Sequence, residues 1–238
     1  LNWILIQKEE LHLDESVTLK DERHIHIRTI LKKRPDDEVQ VVIQNEGNYI
    51  FQVIQITDTE SILVKKETLS LTLNPLPIHC FFSLPRPQTA KKILHLAGAY
   101  GIHSLSFFAT ETKNKEYWTS PIYTKDWNQW IHTGMCQTGN VLFPTVQFGQ
   151  KKNWKEFLSN WDGNVFVLDR LGEIDLKTFK EPLDQMQNIL FVFGPESGWN
   201  ENDMKYFNQL RYKIITLGNI NLRTEFAFSS LLYLMFRN

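Results

Sequence analysis

Arg223 and Glu225 stand two positions apart at the end of the run Leu217-Gly218-Asn219-Ile220-Asn221-Leu222-Arg223-Thr224-Glu225. An apolar stretch, Ile214 to Leu217, meets Gly218, and a helical pattern follows from Glu225. With Thr224 as helix N-cap, the free N–H groups of the helix start present positive character to whatever occupies the loop. Arg223 would add a guanidinium fork at the same place. Donors of this kind stabilise negative charge that develops during a reaction. A second stretch repeats the design. Ile189 to Phe193 is an unbroken apolar run, as in a strand buried on both faces. Gly194-Pro195 must turn, Gly198 keeps the loop open, and Asn200 is a candidate N-cap with Asp203 at the third helical position. Ligands of open α/β sheets bind at such carboxyl ends of parallel strands. One strand–glycine–helix unit means little, because turns need glycine anyway. Two in succession, each with a polar residue in the loop, define a candidate site. In the second loop that residue is Glu196, which could instead bond the N–H groups of its own turn. Glu225, in the first helical turn, favours the helix dipole whatever else it does.

The elements that must position these loops alternate. After Asn74-Pro75-Leu76-Pro77, the strongest linker signal, strands are expected at Ile78–Leu84, Ser104–Ala109, Val165–Asp169, Ile189–Phe193 and Tyr212–Leu217. Helices are expected at Gln88–Tyr100, Lys125–Thr138, Trp154–Trp161, Asn202–Leu210 and Glu225–Phe236. Strands that alternate with helices imply crossovers and a mostly parallel sheet. The first third reads differently. A short strand at residues 3–7 precedes a helical pattern over Glu22–Lys33, and strands follow at Glu38–Ile43, Tyr49–Thr57 and Ser61–Lys66. The hinge Gln44-Asn45-Glu46-Gly47-Asn48 has hairpin chemistry. This pattern suggests a small β-barrel over residues 1–73, followed by an α/β domain over residues 74–238.

A chain of 238 residues with 42% hydrophobic and 22% charged residues has an ordinary globular composition. Its net charge of −1 carries no global nucleic-acid signature, although a local patch can suffice. Arg23, Arg28, Lys32, Lys33 and Arg34 cluster around the first helix. They form either a phosphate-contacting patch or a solvated helix face. Arg86, Lys91, Lys92 and His95 pose the same choice on a later helix. Cys80 and Cys136 have no metal spacing and read as small buried hydrophobes in a reducing cytoplasm. His24 and His26 lack a third ligand, so no metal is expected. No signal peptide or membrane span is expected either. The leading Leu1 suggests a trimmed start. Gly-x-Gly-x-x-Gly, Walker A, His-Glu-x-x-His and Gly-x-Ser-x-Gly motifs are all missing.

Gly-Pro-Glu-Ser-Gly-Trp, residues 194–199, resembles the Gly-Pro-Glu-Gly-Gly-Phe loop of the SPOUT class of RNA methyltransferases. Leu217 to Ala227 is similar to their Leu-Gly-x-x-Ile-Leu-Arg-x-Glu-Thr-Ala motif. Together, and with the small N-terminal barrel, they make the chain resemble the RsmE family over nearly its whole length. That family comprises the bacterial 16S ribosomal RNA uridine N3-methyltransferases. The His26–Leu31 segment and the Pro35–Val39 turn match the family more loosely.

The resemblance implies a PUA-like barrel, a trefoil-knotted α/β domain, a cytoplasmic homodimer and 16S rRNA of the small subunit as partner. It also implies S-adenosylmethionine held by three loops. Carried over residue by residue, the cofactor positions are Leu168, Phe193, Gly194, Pro195, Glu196, Gly198, Leu217, Gly218, Ile220, Leu222, Thr224 and Ala227. Arg223 becomes the catalytic candidate, steadying a uracil oxygen or a flanking phosphate, and Arg23, Arg28, Arg86 and Lys91 become RNA-binding candidates. Three departures stand out. Ala99-Tyr100-Gly101 replaces the usual Glu-Leu-Gly, Asn140 stands where an arginine is usual, and Ser197 where glycine is frequent. Another RNA target in the same fold, or a binding protein that has lost catalysis, are the alternative readings. Trp118, Trp127, Trp130, Trp154 and Trp161 suggest packing more than base stacking, whereas Trp199 ends a cofactor loop.

Overall fold

The computed structural model describes residues 3–70, 76–176 and 188–235, and the chain divides into two compact units. The first comprises Leu1–Asn74, Gly98–Gly101 and Ile131–Phe143, and the second Pro75–Ala97, Ile102–Trp130 and Pro144–Asn238. Asn74-Pro75 of the expected linker lies outside the described residues.

The first unit contains strands β1 (Trp3–Ile6), β2 (Ser16–Leu19), β3 (Glu38–Ile43), β4 (Gly47–Ile56) and β5 (Ser61–Ser70), with helix α1 (Glu22–Ile25) between β2 and β3. They form one sheet in the order β1-β3-β4-β5-β2, with β1 and β2 at its two ends. Val39, Val41 and Ile43 on β3 and Tyr49, Phe51 and Val53 on β4 fill a core with Ile27; β4 alternates buried and less buried residues over this stretch, whereas on β3 Val42 is buried as well. The expected helix over Glu22–Lys33 is shorter. It gives way after Ile25 to a π-helical stretch, His26–Ile30, and Lys32 then takes a left-handed φ of 52°. Buried His24 bonds Ser61 through Nδ1 at 2.8 Å.

Asn140, where the resemblance leads one to expect an arginine, is bonded to backbone on both ends of its amide. Its Nδ2 donates to the carbonyls of Gly98 and Leu142, both at 2.7 Å, and its Oδ1 accepts from the Leu142 N–H at 3.1 Å. A Cβ on Gly101 would lie 2.4 Å from that Oδ1, so Gly101 and Asn140 depend on each other. Asn140 is therefore a structural clamp in the first unit.

The second unit holds a sheet of seven strands in the order β10-β12-β9-β11-β6-β7-β8. The ranges are β6 (Leu76–Ser83), β7 (Ile102–Phe108), β8 (Thr145–Phe148), β9 (Val165–Leu168), β10 (Ile174–Asp175), β11 (Ile189–Phe193) and β12 (Lys213–Thr216). Every adjacent pair is parallel, as the strand–helix alternation implied. The helices along this part of the chain are α2 (Pro87–Tyr100), α3 (Pro121–Thr124), α4 (Trp127–Thr138), α5 (Trp154–Ser159), α6 (Glu201–Gln209) and α7 (Thr224–Met235), of which α2 from Gly98 and α4 from Ile131 onward count to the first unit. The helix expected over Lys125–Thr138 starts at Trp127, because Lys125 caps the short α3 instead. The final helix is described only to Met235, so its expected end at Phe236 falls outside the described residues.

All five residues of β11 are buried, as the central position of that strand demands. Phe82 on β6 stacks on Phe193 of β11 with centroids 4.6 Å apart. Phe228 of α7 meets both rings edge-on at 5.2 and 5.7 Å, which fixes the start of α7 over these two strands. On α6, Asn200 is the N-cap, accepting from the Asp203 N–H at 3.0 Å. The Asp203 carboxylate meets Lys155 at 3.4 Å, so a reciprocal capping box does not form. Among the described residues no helix is long and apolar enough to cross a membrane.

Two outcomes check this packing. Asn140→Ala leaves three backbone groups without their side-chain partner and should cost about 1–3 kcal/mol in denaturant unfolding. His79 lies opposite Ser104 across the β6–β7 ladder and bonds its Oγ at 2.7 Å. Burial, then the charge of His103, hold its pKa down to about 4, against a smaller opposing bond to Asn188. The unfolded chain, titrating near 6.5, therefore binds the extra proton between these values. Stability from this group is complete above pH 6.5 and is lost as pH falls towards 4. His79→Gln should flatten that decline by on the order of 2–3 kcal/mol in unfolding measured from pH 7 to 4.

Candidate functional site

Three strand ends of the second unit open into one cleft of about 1160 Å³. The first wall follows β9. Asp169 turns the chain by accepting the Leu171 N–H on its own carboxylate at 2.8 Å, while its N–H bonds the Ile215 carbonyl at 3.0 Å. The second follows β11, where the Gly198 N–H closes a turn on the Pro195 carbonyl at 2.9 Å and Gly198 takes φ +80°. The third follows β12. There Thr216 Oγ1 donates to the Arg170 carbonyl at 3.2 Å and accepts the Gly218 N–H at 3.1 Å, tying the first and third walls together.

The glycines serve different purposes. Gly198 and Gly218 have φ values of +80° and +114°, and a Cβ on either would meet nothing within 4 Å. They satisfy the turns and leave open space beside the backbone. Gly194 instead makes room for Trp199, whose ring would lie 2.9 Å from an added Cβ. Trp199 also donates its indole N–H to the Leu168 carbonyl at 3.2 Å, joining the first and second walls. Ser197 has no positive φ and sends its hydroxyl to Glu111 at 2.6 Å.

Thr224 is not the N-cap of α7 but its first helical residue. Arg223 holds the cap position, and its carbonyl accepts the N–H groups of Phe226 and Ala227, both at 2.9 Å. A helix needs its first carbonyl acceptor just ahead of the first turn, and here the arginine backbone supplies it. Within that first turn, Glu225 is only 4% exposed. Burial pushes its pKa up. Its own backbone N–H, a 3.0 Å bond from Lys92 Nζ and the Arg223 charge outweigh this and hold the carboxyl below its ordinary range. Across the mouth Arg86 pairs with Glu196 at 3.1 Å, both side chains well exposed. A recess of about 280 Å³ shares Arg86, Tyr117, Gly194, Glu196 and Thr224 with the cleft and adds Glu111 and Glu116.

Every residue assigned above to the cofactor lines this cleft: Leu168, Phe193, Gly194, Pro195, Glu196, Gly198, Leu217, Gly218, Ile220, Leu222, Thr224 and Ala227. Arg223 and Arg86 line it too. Lys91 does not, and lies over the Trp130 ring at 4.9 Å. Arg23 and Arg28 belong to the first unit. Arg23 is consumed by Glu10 at 2.5 Å, Asp21 at 2.7 Å and the Leu5 carbonyl at 2.9 Å, which argues for a structural role. Arg28 pairs with Asp58 at 2.6 Å on the surface. Lys92 stood in the sequence as either a phosphate contact or part of a solvated helix face, with nothing to point to Glu225. The signal available was its place in the helix that follows β6, whose carboxyl end opens on the same edge. Among the described residues no group of three or more His, Cys, Asp or Glu could hold a metal ion.

The chain is similar to known proteins in sequence and in fold. Ribosomal RNA small subunit methyltransferase E 1 of Borreliella burgdorferi is 25% identical over 228 residues, covering 95% of this chain and 94% of that one. Ribosomal RNA small subunit methyltransferase E of Treponema pallidum is 22% identical over 236 residues, covering 95% and 87%. Among solved structures, a ribosomal RNA small subunit methyltransferase E from Neisseria gonorrhoeae, bound to S-adenosyl methionine, superposes with a TM-score of 0.75. It is 17% identical and the match covers 99% of this chain and 96% of that one, a likeness of fold. The RNA methyltransferase domain family matches residues 72–235, well over half of the 238, and the chain belongs to that family.

Proposed function

We propose that this protein transfers a methyl group from S-adenosylmethionine to N3 of a uridine in 16S RNA of the small ribosomal subunit. The observation that carries the reading is the cleft itself, three parallel strand ends with open backbone at Gly198 and Gly218, and Arg223 at the helix start beside it. Membership of an RNA methyltransferase family and two relatives named for small-subunit ribosomal RNA support the substrate class.

The residues present fit the cofactor. A ligand with an adenine and an amino-acid end needs close backbone approach at several points, and the space beside Gly198 and Gly218 offers it. The backbone of Leu168, Gly194, Leu217 and Gly218 would hold it, with Glu196 and Glu225 as the nearby negative charges. When bound, S-adenosylmethionine supplies an electrophilic methyl on a sulfonium. The remaining work falls to the chain. Uridine N3 must lose its proton to attack, so negative charge spreads onto the uracil oxygens. Arg223 meets that charge from the cap of α7, where the backbone N–H groups of the first turn act in the same sense.

We further infer that the first unit is a PUA-like RNA-binding barrel, that the second carries a trefoil knot, and that two chains pair in the cytoplasm. Ile220, Phe226 and Tyr233 are 66%, 54% and 60% exposed, and the last two share a face of α7. Such a patch suits a subunit contact. RNA contact falls first to Arg86 at the cleft, with Arg28 second.

Unmethylated 30S subunits and naked 16S RNA, each incubated with labelled S-adenosylmethionine, test the assignment. N3-methyluridine should be recovered by nuclease digestion and mass spectrometry, and no methyl transfer to either RNA would refute it. Arg223→Ala should lower turnover by roughly 100-fold while leaving the cofactor Kd within about threefold. Equal losses in both would reassign Arg223 to cofactor binding.

A further inference from the structure

Glu225 is nearly inaccessible, and a buried carboxylate without compensation is strongly unfavourable. The compensation comes from two directions. Arg223 acts on it through space from the loop of its own helix, and Lys92 reaches it from α2, with Nζ 3.0 Å from Oε1. The two ends of the ion pair differ sharply in environment. The Glu225 side chain is 5% exposed, whereas that of Lys92 is 58% exposed and lines the cleft. An ammonium carries three N–H donors. One is spent on Glu225, and the others have no hydrogen-bond acceptor in the described structure. The Phe226 ring, 5.9 Å from Nζ, flanks the cation on one side. Lys92 is thus a cation held in place by a buried anchor, with donors left over on the cleft side. Fixed donors of this kind stabilise developing charge without reorganising at the moment of reaction.

Uridine offers two acceptors that match. Loss of the N3 proton leaves an anion delocalised over N3 and its two flanking oxygens, O2 and O4. The proton passes to solvent, the N3 lone pair forms the new N–C bond, and the S–C bond electrons leave with the sulfur. One cation for each flanking oxygen would lower the cost of that deprotonation while N3 stays open to the methyl. We propose that Lys92 is a second catalytic residue, donating to one of the two uracil oxygens beside N3 while Arg223 serves the other. Glu225 is then a positioning residue that holds Lys92 in place. This rests on the uridine N3 reading above and names how the site binds the reacting base.

The other ionisable groups that line the cleft with Lys92 are Arg223 and Glu225 on the α7 side, Arg86 and Glu196 across the mouth, Asp169 and Arg170 after β9, and Tyr117. None is a histidine or a thiol, so the rising limb of a rate profile between pH 6.5 and pH 9 would report the uracil. Single-turnover methylation of unmethylated 30S subunits at saturating S-adenosylmethionine tests the proposal, comparing wild type, Lys92→Met and Lys92→Arg. At pH 7 Lys92→Met should be slower by roughly 100-fold. The deficit should shrink as pH rises, because the anion then forms without help. Lys92→Arg should recover most of the rate, and cofactor Kd should stay within twofold in both variants. A Lys92→Met rate within twofold of wild type, a deficit constant with pH, or a rate loss matched by weaker cofactor binding would each overturn it. The wild-type arm reports separately on the parent reading: if it makes no N3-methyluridine, that reading fails, and with it the role given to Lys92.

Discussion

In a parallel sheet all strands finish at the same edge, and the second unit is built wholly of parallel pairs. That constraint makes the cleft. β11 is buried along its length between β6 and β9, so its chain can leave the core only at Phe193, and it does so through Gly194-Pro195. The ends of β9 and β12 arrive at the same edge, one strand apart on the same side. Three turns must then share a small space without filling it. Gly198 and Gly218 solve this with left-handed backbone, and Thr216 and Trp199 stitch neighbouring turns together through the Arg170 and Leu168 carbonyls. Rigid strand ends position a site more precisely than free loops can.

The electrostatics follow from the same geometry. Packing of Phe228 against Phe82 and Phe193 sets the start of α7 over the sheet edge, and this buries Glu225. A charge so placed requires partners, and those partners are the cations that face the cleft. Stability and chemistry are therefore coupled. The ion pair that keeps a buried carboxylate ionised also keeps an ammonium on station. The N-terminal end of α7 works in the same direction, favouring negative charge both in Glu225 and in whatever enters beside it.

Where a local pattern sufficed, the sequence was a good guide. The strands Glu38–Ile43 and Ile189–Phe193 begin and end where their hydrophobic patterns do, and Asn200 caps α6 because Asn competes well for that position. Both glycine loops of the site were legible, since apolar run, glycine and helix start lie together in the chain. What depended on distant partners was not. The strands β2 and β8 carry only two apolar residues each, separated by a polar one, too little to show a period, and the π-helical turn after Ile25 obeys no simple spacing. The cap at Arg223 rather than Thr224 follows from a backbone carbonyl, which has no signature in residue type. Arg23 looked like a phosphate ligand, but Glu10, thirteen residues earlier, claims it. Asn140 looked like a loss, yet its amide is occupied by the backbone of Gly98 and Leu142. Lys92 could be read as a phosphate contact or as solvated surface, and its partner Glu225 lies 133 positions later.

The central claim is that the open edge between these turns is a methyl-donor site, and a calorimetric titration of the purified chain with S-adenosylmethionine tests it most directly. The account predicts one binding event per chain, and strong weakening in Gly218→Val, whose side chain would occupy the open space beside the third turn. A wild-type protein that unfolds cooperatively yet gives no binding heat with S-adenosylmethionine at any temperature tried would contradict it.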